Sequence, residues 1–433
     1  MLKYVIFFIL LVYTLSRLLS KRNVHKRQKR IIGAFNVFCC IALGISFFTF
    51  NGRYAISTEA YFCVILSVLS FNFGFKYSKE NKFLNKEIAN SANYFISSKL
   101  INTIIILLTF YIFSLFLTYI DALAVASAAD LRTDFFDEEN NLYGPLFLFL
   151  NTWLLKPISI LLMPLFPMAL IQKKYGQAVL YISYLLVYNS LGGGRFGYTQ
   201  IAWSLYLVCI CLYQVVKIKL SIRNALIAFV VFLGFYGLIA LTTASRMANF
   251  DINRINYDEV LKETNTQLSA YVSGPIAAFS YAIDNNYVKE MGGYQYGKLT
   301  LGAFDQVADI AFRKIGVGYE RAIPKLATIK QDSKIEINED FPMWNALYTS
   351  NLFFYLDFGI VGVLVFPFIF ARLFSKSLSL MQHKQNVMSL VLVNYVFVNC
   401  MHSVFDFRLY NLADLVTISV LLILIYKTKA VKM

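Results

Sequence analysis

The stretch LINTIIILLTFYIFSLFLTYI, residues 100–120, contains no charged side chain over its whole length. A helix needs roughly 20 mostly apolar residues to cross the hydrocarbon core of a bilayer, which is about 30 Å thick. Because this stretch is apolar on every side of a helix, it has no stable place at the surface of a water-soluble protein. It therefore predicts a membrane-spanning helix.

The same kind of stretch recurs along the chain, and this repetition predicts the fold. With 58% hydrophobic and only 15% charged residues among 433, the chain is too apolar for a water-soluble protein. We predict an all-α, polytopic integral membrane helix bundle of about 11 spans with a large helical extracytoplasmic loop. The predicted spans are residues 4–19, 31–50, 61–75, 100–120, 150–171, 178–193, 199–216, 224–243, 352–371, 387–405 and 411–427.

Three consecutive parts follow from this layout. Residues 1–243 are predicted to form an N-terminal transmembrane bundle (spans 1–8), residues 244–351 a large extracytoplasmic loop with amphipathic helices, and residues 352–433 the C-terminal spans 9–11. The first span has no small-residue cleavage site and is followed by basic residues, so we expect it to be retained. The outer loop is too long for a simple linker.

Lysine and arginine lie in alternate loops, and this pattern predicts the orientation. Positively charged residues favour the cytoplasmic side of a membrane protein. In an eleven-span layout the basic segments all fall on that side, with the N-terminus outside and the C-terminus in the cytoplasm; they are residues 21–30, 76–99, 173–174, 217–223, 372–384 and 427–433. The net charge of +15 is then an orientation signal, and no nucleic-acid binding is expected.

Four arginines depart from this pattern because they lie at the outer ends of predicted spans. Arg195 stands in the turn LGGGRFGY (191–198), Arg246 and Arg254 near the start of the long loop, and Arg408 beyond span ten. A guanidinium stays charged and matches phosphate oxygens with a rigid fork of donors. A single arginine could instead reach lipid headgroups. Several together, beside glycines that allow close backbone approach, predict a phosphate or diphosphate site.

A candidate general base lies near the outer end of span ten. His402 and Asp406 are four residues apart, so a continuing helix would place both on one face. The carboxylate could then orient the imidazole, and the pair could deprotonate a sugar hydroxyl. The alternative is structural, with His402 in a helix contact and Asp406 as a cap of the span.

The long outer loop offers further candidates. The run AFDQVADIAFRKI (303–315) places apolar side chains from Phe304 to Ile315 on one helical face, and the Ser-Gly-Pro sequence predicts a helix that begins at Pro275. Such helices could form an interfacial cap on the bundle or bind substrate, and the two roles are compatible. Other candidate site residues are Glu320, Arg321 and Asp357.

The sequence contains no cofactor or metal signature. It has no GxxxxGK[ST] loop, and GGGRFG is flanked by membrane helices rather than preceded by a strand. The six cysteines fall inside apolar segments without metal-site spacing, so neither a metal site nor a disulfide is expected. A group-transfer reaction would then need a substrate that carries its own activation, as a polyprenyl diphosphate does.

Several short motifs together resemble one known family. They are the GGGR turn after a middle span, the SR pair before the outer loop, YVSGPIAAF within that loop, and NALYTSNLFFYLDFGIVG leading into the next span. This pattern is similar to the O-antigen polymerase (Wzy) family of oligosaccharide repeat-unit polymerases over roughly residues 180–410. The family resembles C-class membrane glycosyltransferases in fold.

The resemblance implies a multi-pass glycosyltransferase of the bacterial cytoplasmic membrane. It would polymerise undecaprenyl-diphosphate-linked oligosaccharide repeat units at the outer face, as in lipopolysaccharide or capsule synthesis, by transferring the growing glycan from its lipid carrier to the next lipid-linked unit. No cofactor or metal is implied. The expected partners are the lipid-linked oligosaccharide, membrane lipid, a chain-length regulator and a flippase. Substrate-binding roles carry over onto Arg195, Arg246 and Arg254, whereas no motif carries over the base.

Three other functions stay open. A ligase that moves finished glycan to another acceptor would share the layout and the arginines. A flippase or transporter of the same lipid-linked oligosaccharide would also need a cationic cavity, but it predicts internal repeats and charges deep within the spans. A membrane acyltransferase with a single histidine is the third alternative.

Overall fold

A computed structural model gives the secondary structure and packing of the chain. The structure describes residues 2–19, 26–48, 56–77, 84–123, 142–191, 196–211, 236–237, 240, 243–244, 256–332, 335, 348–407, 409 and 411–427. These residues form helices, turns and irregular segments, and no strand occurs among them. The prediction of an all-helical chain is therefore confirmed for the described part.

The helices follow one another with mostly short connections. They are α1 (Leu2–Leu19), α2 (Lys26–Phe48), α3 (Thr58–Gly74), α4 (Leu84–Ser97), α5 (Lys99–Leu123), α6 (Gly144–Leu150), α7 (Lys156–Ile171), α8 (Tyr175–Ser190), α9 (Phe196–Cys211), α10 (Tyr257–Asp284), α11 (Tyr287–Glu290), α12 (Gly302–Lys314), α13 (Ala322–Asp332), α14 (Ser350–Lys384), α15 (Val387–His402) and α16 (Leu412–Lys427). A π-helical turn at Asn151–Leu155 joins α6 to α7. A helix overlaps each predicted span, although of span 224–243 only residues 236–237, 240 and 243 are described, and these are helical.

Several of these helices have the length and composition of membrane spans. Four segments are long and apolar enough to cross a bilayer, namely Gln28–Phe47, Lys99–Ala122, Gly144–Ile171 and Ser350–Lys384. α5 also exposes Leu107 (63%) and Phe110 (71%), as a helix in contact with lipid would. These helices mark the chain as a membrane protein.

Three segments differ from the sequence prediction. Part of the segment 76–99, predicted as a basic loop, forms the helix α4. α10 continues through Pro275, so the predicted helix start there is wrong; residues 273–280 are all buried, and their packing maintains the helix. α14 continues to Lys384, beyond the predicted end of span nine at residue 371.

The described chain divides into two compact units. Unit 1 comprises Met1–Glu80, Thr266–His383 and Val396–Val420, and unit 2 comprises Asn81–Asn265, Lys384–Tyr395 and Leu421–Met433. The three consecutive parts predicted from the sequence describe membrane and outer segments, and they stay a prediction.

In unit 1, α2 and α3 run antiparallel and are joined by buried polar contacts. Asn36 of α2 and Asn72 of α3 exchange two side-chain hydrogen bonds of 3.0 and 2.8 Å. Further along, the hydroxyls of Ser46 and Tyr61 lie 3.1 Å apart. Paired amides satisfy each other where no water is available, so this contact fixes the register of the two helices.

In contrast, α3 and α14 run in the same direction. Near their starts the hydroxyl of Tyr355 donates to Glu59 (3.2 Å), and further along the backbone N–H of Lys76 donates to Oγ of Ser375 (2.8 Å). Gly74 allows the helices to touch, because a Cβ there would lie 2.5 Å from the carbonyl oxygen of Phe368.

In unit 2, the π-helical turn is held by tyrosines of α8. Tyr184 donates a hydrogen bond to the carbonyl of Leu155 (2.9 Å), and Tyr188 donates to Oδ1 of Asn151 (2.8 Å). A π-helical turn disturbs the regular ladder of backbone hydrogen bonds. The two hydroxyls supply partners at that point.

Candidate functional site

The four arginines predicted to bind diphosphate, Arg195, Arg246, Arg254 and Arg408, all lie outside the described residues. Their role as diphosphate ligands therefore stays a prediction. The described residues that flank Arg195 do bear on it.

The helix ends on either side of the glycine-rich turn are adjacent. Tyr143 donates a hydrogen bond from its hydroxyl to the carbonyl of Leu191 (2.9 Å). The hydroxyls of Ser190, at the end of α8, and Tyr198, in the first turn of α9, lie 2.8 Å apart. This arrangement is the one expected for the very short turn that the sequence predicts.

One glycine of this turn has a clear packing role. A Cβ at Gly197 would lie 1.8 Å from Oδ1 of Asn189 and 2.4 Å from its Cβ, far inside contact distance. Asn189 is itself held, because its Nδ2 donates to the carbonyl of Leu185 (2.7 Å). Only glycine allows this approach of α9 to α8.

α15 ends at the same end of unit 1 where α14 begins. The backbone N–H of Ser350 donates to the carbonyl of Ser403 (2.9 Å), which ties the start of α14 to the residue after α15. His402, the last residue of α15, is only 1% exposed. Its ring lies edge-on to Phe405, with 6.2 Å between the ring centres. The imidazole is therefore enclosed by protein.

The helix ends before Asp406, so the continuing helix that the prediction assumed is not formed. α15 ends at His402, whose carbonyl accepts hydrogen bonds from the N–H groups of Phe405 (2.8 Å) and Asp406 (2.9 Å). After this single turn, Oδ1 of Asp406 accepts a hydrogen bond from the N–H of Phe407 (2.9 Å). The side chain of Asp406 is partly exposed, in contrast to that of His402.

Lys330 of α13 lies near this end of the helix pair, and sequence reasoning misses it. Its Nζ lies over the ring of Tyr348, 4.6 Å from the ring centre. Burial lowers the pKa of Lys330, while the negative charge of Asp406 acts in the opposite direction. We call Lys330, Tyr348, His402 and Asp406 the end cluster.

The end cluster combines groups with complementary chemistry. An ammonium can neutralise charge on a phosphate leaving group, and a carboxylate or an imidazole can accept a proton. No sequence signal identifies Lys330, because a lysine on an amphipathic helix ordinarily extends to solvent. Tyr348 does have a signal, since it lies within NALYTSNLFFYLDFGIVG.

Asp357 binds a loop at a break in α14. The helix departs from helical geometry at Phe358 and at Gly359, where φ is +60°. The Asp357 carboxylate is fully buried and accepts hydrogen bonds from the N–H groups of Leu299 (3.1 Å) and Thr300 (2.7 Å). This geometry gives Asp357 a structural task.

The same break provides carbonyl groups for the loop, residues 291–301, which we call the kink loop. The N–H of Gln295 donates to the carbonyl of Leu356 (3.0 Å), and the N–H of Tyr296 donates to the carbonyl of Asp357 (3.2 Å). Buried backbone groups need such partners. The kink loop is therefore bound to α14 in two ways, by the carboxylate of Asp357 and by the backbone carbonyls of Leu356 and Asp357.

Glu320 and Arg321 precede α13. Glu320 is exposed, and its carboxylate lies 3.6 Å from Nζ of Lys325. Exposed pairs of this kind contribute little to stability. Nε of Arg321 is buried without a hydrogen-bond partner in the described part of the chain. Both stay candidate residues.

Known proteins provide no closer guide to the site. The chain matches no protein-family model, no curated protein and no solved structure. Within the described ranges, no three His, Cys, Asp or Glu side chains converge as metal ligands. The resemblance to repeat-unit polymerases therefore rests on the short motifs quoted above.

Proposed function

We propose that the chain is a membrane glycosyltransferase that polymerises undecaprenyl-diphosphate-linked oligosaccharide repeat units at the outer face of a bacterial cytoplasmic membrane. The anomeric carbon of the growing glycan loses its bond to a diphosphate oxygen and forms a bond to a hydroxyl oxygen of the next lipid-linked unit. A base takes the hydroxyl proton, and the lipid diphosphate leaves with the electron pair. The reaction therefore needs cations near the diphosphate and a proton acceptor near the hydroxyl.

The end cluster is the observation that carries the proposal. The Nζ atom of Lys330 lies 4.6 Å from the ring centre of Tyr348, and Ser350, two residues after Tyr348, is hydrogen-bonded to Ser403, the residue after His402. The cation and the His402–Asp406 turn thus belong to one compact unit. Since His402 is enclosed and Asp406 is partly exposed, we assign the proton-accepting role to Asp406 and a positioning role to His402. This assignment reverses the roles that the sequence favours.

The arginines keep their proposed role as diphosphate ligands. Charge on the leaving diphosphate grows in the transition state, so cations fixed in place accelerate the step rather than merely bind the donor. Arg195, Arg246, Arg254 and Arg408 would supply most of this charge, and Lys330 would add to it.

The direction of the helices supports the proposed topology. Because α3 and α14 are parallel, an odd number of membrane crossings must lie between them. The sequence supplies five predicted spans in that interval, at 100–120, 150–171, 178–193, 199–216 and 224–243. Together with the positive-inside bias, this parity favours an outer position for the start of α14, with the N-terminus outside and the C-terminus in the cytoplasm.

The first test deletes the gene in its host and separates the surface polysaccharide on a gel. We expect loss of the long ladder, with one repeat unit still delivered to the final acceptor. Polymer that accumulates on the lipid carrier would instead indicate a ligase. Unpolymerised units trapped on the inner leaflet would indicate a flippase.

Complementation of the deletion then tests the end cluster. Lys330→Met and Asp406→Asn should fail to restore the ladder, whereas Lys325→Met, which removes the same charge from the same helix, should restore it. Each variant is compared at equal abundance in the membrane. Ladders restored by both cluster variants would exclude the cluster from the reaction, while the deletion result would still decide the polymerase activity.

A further inference from the structure

α12 is amphipathic, and its apolar face points away from the protein. A cap resting on the bundle would bury that face. Instead its small and acidic residues are buried, with exposures of 3–5%, namely Ala303, Asp305 and Asp309. The large apolar side chains on the opposite side are 46–56% exposed, namely Phe304, Val307 and Ile310.

Polar contacts on the buried face fix this rotation of the helix. Asp305 accepts hydrogen bonds from the hydroxyl of Tyr319 and from the N–H of Ala322 (3.1 Å), both in the segment that follows α12. Turning the helix to bury its apolar side would break both bonds and leave a carboxylate and a backbone N–H without partners. The outward apolar face therefore belongs to the native packing.

The exposed apolar face of α12 is continuous with the exposed apolar side of the membrane-spanning helix α14. Leu301, which precedes α12, is 51% exposed, and Gly297 lies between it and Phe358 of α14: a Cβ there would be 3.8 Å from Leu301 and 3.9 Å from Phe358. Phe358 contacts the ring of Tyr296, with 6.0 Å between the ring centres. Beyond it, α14 exposes Val361 (65%) on its apolar surface. An apolar surface thus runs from α14 across the kink loop to α12.

We propose that the apolar face of α12 is immersed in the lipid bilayer, at the end of the membrane span formed by α14. A surface continuous with the lipid-facing side of a span contacts the same lipid, and amphipathic helices bind to bilayers in this way. Arg313 and Lys314 follow at the end of the helix. Nε of Arg313 donates to Asp309 (2.7 Å), and its side chain is 71% exposed, so the remaining guanidinium N–H groups and Lys314 can face lipid phosphates. This inference does not depend on the proposed enzymatic activity.

The test measures the surroundings of spin-labelled cysteines in the full-length protein in lipid nanodiscs. Val307→Cys carries the label on the exposed face of α12. Val361→Cys on α14 is the lipid reference, and Glu320→Cys, an exposed polar position beyond α12, is the water reference. Collisions with oxygen, which concentrates in lipid, are compared with collisions with a nickel chelate, which stays in water. Protein without an added cysteine gives the background from the six native cysteines.

The expected result is a Val307→Cys label with the high oxygen and low nickel accessibility of the Val361→Cys label, and the reverse for Glu320→Cys. Nickel accessibility equal to that of Glu320→Cys would overturn the proposal, because the face would then contact water. Protection from both reagents would also overturn it, and spin–spin broadening would identify a second copy as the covering protein. Ile310→Cys, on the same face, repeats the measurement if Val307→Cys does not fold.

Discussion

Asp357→Ala tests the break in α14 where it binds the kink loop. The carboxylate is the acceptor for the buried N–H groups of Leu299 and Thr300, at 3.1 and 2.7 Å. A buried donor that loses its acceptor lowers the stability of the structure by about 1–3 kcal/mol. With two such donors, the state in which the kink loop is bound to α14 should be destabilised by about 2–6 kcal/mol.

The substitution destabilises the binding of the kink loop to α14, whereas the membrane helices keep their own contacts. Local opening can occur without global unfolding, and amide hydrogen exchange reports its free energy. Since about 1.4 kcal/mol corresponds to a tenfold change in an equilibrium constant, a loss of about 3 kcal/mol raises the opening constant roughly 100-fold. We therefore expect exchange in residues 291–301 to accelerate by about that factor.

Hydrogen exchange read by mass spectrometry in nanodiscs measures the effect directly. Asp357→Asn keeps one carbonyl acceptor and should give a smaller acceleration than Asp357→Ala. Glu320→Ala, at an exposed position, should leave exchange in the kink loop unchanged. If Asp357→Ala folds and its kink loop exchanges at the wild-type rate, the carboxylate does not hold the loop.

The remaining predictions concern a cation, a close helix contact and a buried amide. Asp406 opposes the lowering of the Lys330 pKa, so Asp406→Asn should lower that pKa further, and competitive amine labelling of Lys330 should then reach half-maximum at a lower pH. At pH values between the pKa of Lys330 in the folded protein and its ordinary value of 10.5, the unfolded chain binds more protons than the folded chain, so the free energy of unfolding should rise with pH. In melting temperatures measured over this pH range, Lys330→Met should abolish that rise. Gly197→Ala should cost about 1–3 kcal/mol in a denaturation measurement because of overpacking, and Gly176→Ala, where a Cβ meets nothing within 4 Å, should not destabilise; equal effects would refute the close contact. Asn36→Leu should lower the free energy of unfolding by roughly 0.6–1.7 kcal/mol in the same denaturation measurement, since the amide of Asn72 on α3 stays buried. An unchanged free energy of unfolding would mean that the two amides do not pair.

The sequence predicts the long helices well because each is encoded in one local run. The charge-free residues 100–120, for example, coincide with α5. Local rules fail where distant residues decide the outcome. Pro275 predicts a helix start, but the buried residues around it keep α10 continuous. α15 likewise ends at His402, although the spacing of His402 and Asp406 suggested a helix that continues to Asp406.

The candidate site was harder to predict than the fold. Periodicity identifies the apolar face of α12, but periodicity alone does not specify whether protein or lipid covers it. Lys330 and Asp406 are far apart in the sequence and interact only in the folded chain. Asp357 is identifiable as a polar residue at the start of a span, yet its role depends on the kink loop, which the sequence does not place beside it.

The most direct test of the central claim is reconstitution of the purified protein in liposomes with a single lipid-linked repeat unit as the only substrate. The account predicts a ladder of longer glycans on the lipid carrier, with one undecaprenyl diphosphate released for each new linkage. Protein that leaves the repeat unit unpolymerised, whether or not it moves the unit across the bilayer, would contradict the account.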